Sequence, residues 1–144
     1  MKDIEKILID GNSVQIKPQG YSMYPMFFPG RDEAIIDPVS IDNIKKGDVI
    51  LYRRKGSILV MHRVMKIRTE GIYFVGDNQE KIEGPLPLTC VRGKLSAFIR
   101  NGKYISVSNP IYRFTASIWL FLRPVRGYIK RTAAYIKRIF RKNN

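Results

Sequence analysis

A mainly β, antiparallel domain that ends in a basic amphipathic helix is the architecture this sequence predicts. Three observations lead there. From Ser13 onward, short apolar runs alternate with Pro, Gly, Asn and Asp; nothing between those runs reads as a helix; and beyond Asn109-Pro110 the composition turns apolar and basic.

Taken in order, Asp3 is placed to cap a short first helix, because Ile4, Ile7 and Leu8 fall at helical spacing and share one face. That segment is too short and too charged for a signal peptide or a membrane span. Residues 14–17, 34–37, 48–53, 58–68, 72–75, 94–100 and 104–107 then read as seven strands. Seven strands without intervening helices favour antiparallel pairing, since parallel neighbours need long crossovers. The chain has 144 residues, 44% of them hydrophobic, enough for one cored domain with an appendage. We place the domain at residues 1–108 and the appendage at 109–144.

The appendage carries most of the charge imbalance. The formal net charge is +14, yet residues 100–144 hold 11 Lys and Arg with no acid, against 15 basic and 12 acidic residues in 1–99. Residues 111–122 are mostly apolar, but these 12 residues fall short of the roughly 20 needed to span a bilayer, and Arg123-Pro124 interrupts them. Val125, Tyr128, Ile129, Ala133, Ile136, Ile139 and Phe140 then recur at three- and four-residue steps, with Lys and Arg off that stripe. Such a helix suits an anionic membrane surface, contacted through residues 111–142, at a depth that also suits Trp119. Two other arrangements are open: the stripe packs on the β domain, or a longer span begins near Ile105 and tolerates Arg113. A peripheral arrangement is favoured. Nucleic acid is a poorer partner, because so apolar a tail matches lipid better than phosphate.

Cysteine and histidine usage narrows the chemistry. Cys90 and His62 are the only residues of their kinds, which excludes a disulfide framework and a Cys/His zinc site, and no cofactor or metal is implied. Cys90, in Leu88-Thr89-Cys90-Val91, reads as a buried small hydrophobe.

Ser22, His62 and Asp77 can supply a nucleophile, a base and a group that holds the base. A serine hydroxyl needs such help at neutral pH, and an imidazole with an ordinary pKa of roughly 6.5 suits proton transfer there. If His62 is not the base, a lysine is the substitute. Each residue also has a plainer reading: Ser22 as a loop serine beside a proline turn, His62 as a core histidine between Val60 and Val64, and Gly76-Asp77-Asn78 as a turn. The segment around Ser22 is apolar and aromatic, with Tyr21, Met23, Tyr24, Met26, Phe27 and Phe28, and suits either a substrate groove and lipid-facing surface or a loop packed on its own domain.

The motifs Gly20-Tyr21-Ser22-Met23-Tyr24-Pro25, Lys46-Gly47-Asp48-Val49-Ile50, His62-Arg63-Val64 and Gly76-Asp77-Asn78, in that order, resemble the successive sequence boxes of type I signal peptidases and the wider LexA-like serine peptidases. The resemblance runs from about Gln15 to Lys94. Histidine before Arg63-Val64, where many members have lysine, makes the chain similar to the Ser-His subtype found in the endoplasmic reticulum. The resemblance implies a curled antiparallel β fold, Ser22 as nucleophile, His62 as general base, Asp77 as acidic partner, and cleavage of signal or leader peptides of precursor proteins bound in extended form. Two departures stand out. The further aspartate usual after Gly-Asp-Asn is absent, leaving Glu80 and Glu83 nearby, and the hydroxyl residue that lysine-type members carry two positions before the nucleophile is Gly20. An oxyanion hole would then rest on backbone N–H groups, including that of Ser22. Other functions compatible with the sequence are a non-catalytic, membrane-associated peptide-binding module of the same fold and a LexA-like regulator.

Overall fold

The side chain of Asp3 accepts hydrogen bonds from the N–H groups of Glu5 and Lys6, so α1 (Ile4–Ile9) starts where the sequence places its cap. The computed structural model describes residues 3–55 and 58–142; residues 1–2 and 143–144, the outer ends of the two expected segments, lie outside the described residues. After α1 come β1 (Val14–Ile16), β2 (Asp32–Asp37), β3 (Val49–Arg53), β4 (Leu59–Arg68), β5 (Gly71–Val75), β6 (Glu83–Leu86), β7 (Val91–Arg100) and β8 (Lys103–Ser106), then α2 (Pro110–Phe121) and α3 (Arg123–Lys142).

All eight strands join one antiparallel sheet in the order β1-β2-β7-β3-β4-β5-β6, with β8 also on β7. The sheet is open rather than closed into a barrel. β7 organises it: β2 runs along one edge, while β3 and β8 share the other, one beside each half of β7. Register shifts at Ile35/Ile36, Leu51/Tyr52, Val64/Lys66 and Ile72/Phe74 insert bulges, which bend strands and increase twist.

Alternation along β3 and β4 divides the buried apolar residues between two clusters. Leu51 and Met61 join one with Leu8, Phe27, Ile36 and Phe98; Ile50, Tyr52 and Val64 join the other with Ile72, Phe74 and Cys90. Burial pushes the Cys90 thiol pKa up, in keeping with an inert filler. Glu5 is shared by Arg53 and Arg92, an ion-paired clasp that ties α1 to β3 and β7.

Every expected strand is present, and β6 is an additional one. Glu83-Gly84-Pro85-Leu86 has no apolar alternation, and a proline in a strand normally argues against it. β6 is an outer strand, paired only with β5, and there a missing N–H is tolerated. In the tail, Arg123-Pro124 follows the break after the apolar stretch, as expected, and opens α3. Proline fits in the first turn of a helix because its N–H would have no intrahelical acceptor.

The segment after β1 divides between the two readings the sequence left open. Met23, Met26 and Phe27 are buried in the first cluster, whereas Tyr21, Tyr24 and Phe28 are exposed and meet edge to face at 5.5 and 5.8 Å. Phe27, stacked edge-on to Phe98 at 5.1 Å, pins this segment to β7. Phe27→Ala is expected to lower stability by about 3–5 kcal/mol, read as the shift in a urea unfolding curve.

Candidate active site

His62 lies in the middle of β4, paired with Ile50 of β3. Two pairs further along, Tyr52 opposite Val60 points to the same side of the sheet and brings a phenol to the imidazole. Tyr52 is fully buried and stacked on Phe74, with ring centroids 4.2 Å apart. Its hydroxyl donates to Glu83 Oε2 at 2.8 Å and lies 3.0 Å from His62 Nδ1. Because the phenol proton is committed to the carboxylate, the phenol oxygen accepts from Nδ1–H. The neutral imidazole is therefore held with a bare lone pair on Nε2, the form a general base requires.

Glu83 completes this relay. Arg54 grips it with two hydrogen bonds of 2.9 and 2.7 Å and holds its carboxyl below the usual range. The carboxylate lies 4.0 Å from His62 Nδ1, close enough to stabilise an imidazolium. Burial acts in the other direction: His62 is only 3% exposed, and desolvation lowers its pKa to about 4. The ring is thus neutral at physiological pH.

Asp77 does not hold His62, contrary to expectation. Both its oxygens are taken by Arg63, whose Nε and Nη2 each donate at 2.7 Å, while Arg63 Nη1 donates to the Gly47 carbonyl at 2.9 Å. Adjacent residues on a strand point to opposite faces, so Arg63 and His62 are directed apart, and Asp77 goes with the arginine. This buried fork fixes the turn that follows β5. The acid linked to His62 is Glu83, through Tyr52; Glu80 instead lies against Gly127 of α3.

The turn in question positions Ser22. Asn78 N–H donates to the Ser22 carbonyl at 2.8 Å. The β4–β5 ladder ends at the pair of Arg63 and Val75, so Gly76 is the first residue of the turn that leaves it. A Cβ on Gly76 would stand 2.6 Å from the Ser22 carbonyl oxygen and 2.7 Å from Gln79 Oε1, so a side chain there would push the serine segment away. Glycine is required at this position for close backbone approach rather than for a special backbone angle. Ser22 is half-buried, and among the described residues its hydroxyl has no hydrogen bond and its N–H donates none.

The tail closes over the same turn. Trp119 Nε1 donates to the Asp77 carbonyl at 2.7 Å, and Arg126, buried and stacked on Trp119, donates to that carbonyl as well. Arg123 donates to the Glu80 carbonyl, and Lys130 reaches Asn78 Oδ1 at 3.1 Å. A large cavity of about 770 Å³ lies elsewhere, between α2 and the Arg63 side of β3 and β4, and neither Ser22 nor His62 lines it.

Tyr52 and the tail contacts were missed from sequence. A buried tyrosine needs a partner for its hydroxyl, which is a signal, but the partner follows only from the β3–β4 register. No protein-family model matches this chain, and no curated protein matches it.

The His62 environment implies a pH dependence of stability. The folded protein holds the ring below its unfolded pKa of about 6.5, so the contribution is complete above that value and is lost as pH falls towards about 4. Each pH unit in that window is worth about 1.4 kcal/mol, roughly 3 kcal/mol in all. Urea unfolding at about pH 7 and about pH 4.5 should show an acid loss smaller by about 2–3 kcal/mol in His62→Gln than in the wild type.

Proposed function

We propose that this protein is a serine endopeptidase of the signal peptidase and LexA-like group, cleaving signal or leader peptides from precursor proteins. Ser22 Oγ attacks the scissile carbonyl, His62 Nε2 takes the hydroxyl proton and passes it to the leaving amine, and Tyr52 with Glu83 holds the imidazole in the accepting tautomer. Asp77 acts at one remove, by locking Arg63 and the turn that carries Asn78. The unengaged Ser22 N–H is the first donor for the oxyanion.

The observation that carries this reading is the Nδ1–Tyr52–Glu83 chain, which leaves Nε2 without a hydrogen-bond partner among the described residues. A core histidine needs no carboxylate behind its hydrogen-bond partner. The outer edge of β1, six residues before Ser22, pairs with nothing among the described strands and suits an extended substrate that adds as a further strand. The fold expected for this group, a curled antiparallel sheet, is consistent with the bulged open sheet.

One observation favours a second reading, a peptide-binding module that does not cut: His62 is nearly fully covered, and no hydrogen bond links it to Ser22 among the described residues. A fluorophosphonate probe separates the two, because only an activated Ser22 hydroxyl is labelled.

The decisive assay is cleavage of extended peptides with small residues before candidate scissile bonds. Ser22→Ala and His62→Ala are each expected to reduce kcat/KM by at least about 10³-fold. Tyr52→Phe, which removes the acceptor for Nδ1–H, should cost about 10- to 100-fold through kcat. Full cleavage by purified Ser22→Ala would overturn the assignment.

A further inference from the structure

The tail helix rests on the domain by its polar side. Arg123, Arg126 and Lys130 hydrogen-bond the turn at residues 77–80, and Gly127 passes so close to Glu80 that a Cβ would stand 2.7 Å from its carboxylate oxygen. At 100° per residue these positions occupy the side away from Val125, Ile129, Ile136 and Ile139. The apolar stripe therefore points outward. Val125, Tyr128, Ile129, Ile136, Ile139 and Phe140 are all exposed, from 43% to 71%. This excludes the alternative in which the stripe packs on the β domain.

α2 continues the pattern. Its exposed residues Ile111, Phe114, Ile118 and Phe121 follow three- and four-residue steps, and Val125 comes four residues after the last. Only Leu122 separates the two helices, and its carbonyl already accepts from the N–H groups of Val125 and Arg126. An apolar stripe thus runs from Ile111 to Phe140 across both helices. Arg131, Lys137, Arg138 and Arg141 are exposed and, among the described residues, without ion-pair partners.

We propose that α2 and α3 form a docking surface for an anionic lipid bilayer, lying in its headgroup region with the stripe inserted and the flanking cations against lipid phosphates. Charge selects this occupant. A second copy would bring the same uncompensated cations against these, and a nucleic acid would leave the stripe in water; a bilayer meets both halves of the surface. Among the described residues no helix is long and apolar enough to cross a membrane, so the surface lies on the bilayer. The inference stands independently of the peptidase reading.

The test is flotation of the full chain with phosphatidylcholine vesicles containing about 30% phosphatidylglycerol, and with phosphatidylcholine alone. Binding to the anionic vesicles is expected to be at least about 10-fold tighter. The triple variant Ile129→Ser, Ile136→Ser, Ile139→Ser should lose at least about 10-fold, with its near-ultraviolet circular dichroism unchanged. Arg131→Gln with Arg138→Gln, which keeps the stripe, should bring anionic binding towards the neutral level. Absence of binding to anionic vesicles, or undiminished binding by the triple variant, overturns the proposal. So does a dimer in sedimentation that the triple variant abolishes, or salt-sensitive retention on duplex DNA, where vesicles are not bound.

Discussion

The buried pair of Arg63 and Asp77 is the interaction on which the rest of this structure depends. Both side chains are nearly inaccessible, at 2% and 1%, and neither charge is solvated by water. Such a pair is tolerable only when its hydrogen-bonding capacity is filled, and here two parallel N–H donors meet two carboxylate oxygens while a third nitrogen finds the Gly47 carbonyl. The attraction of Asp77 keeps Arg63 charged against the desolvation that opposes it. Removing one partner would leave an uncompensated charge in the interior, a cost of about 3–5 kcal/mol. The pair joins β4, the turn after β5 and the approach to β3 at a single point, beside the strand position of His62.

From that point the site is built by backbone as much as by side chain. Gly76 admits the Ser22 segment, the Asn78 N–H fixes its carbonyl, and Met23, Met26 and Phe27 anchor it below. The imidazole is oriented separately, from the other cluster, by Tyr52 and Glu83. Two carboxylates are each held bidentately by an arginine, Asp77 by Arg63 and Glu83 by Arg54, but only Glu83 is also linked through a phenol to the histidine.

Much of the fold could be read from residue order alone. Period-two alternation and turn residues marked seven strands, and Asp3 marked its helix, because these signals are local. β6 escaped because an edge strand is defined by its neighbour β5, not by its own pattern. Ser22 and His62 stood out from motif and composition, but Asp77 was assigned the wrong contact. Whether it reaches His62 or Arg63 depends on which face of β4 the turn returns to, and adjacency in sequence gives opposite faces to the two residues. Tyr52 was invisible for the same reason: its role follows from cross-strand register. Periodicity identified the tail helix correctly, yet it could not say which side of that helix would rest on the domain.

The Asp77 carbonyl has a further significance. It accepts from Trp119 of α2 and from Arg126 of α3 while its own residue is clamped by Arg63, and the next residue holds the Ser22 carbonyl. Helix docking and the order of the serine turn are therefore not independent equilibria. Under the proposed function, reciprocity requires that whatever factor a peptide added to the closure of this turn it would add equally to the seating of the helices. A single main-chain oxygen is thus the point where both tail helices meet the turn that fixes the Ser22 carbonyl.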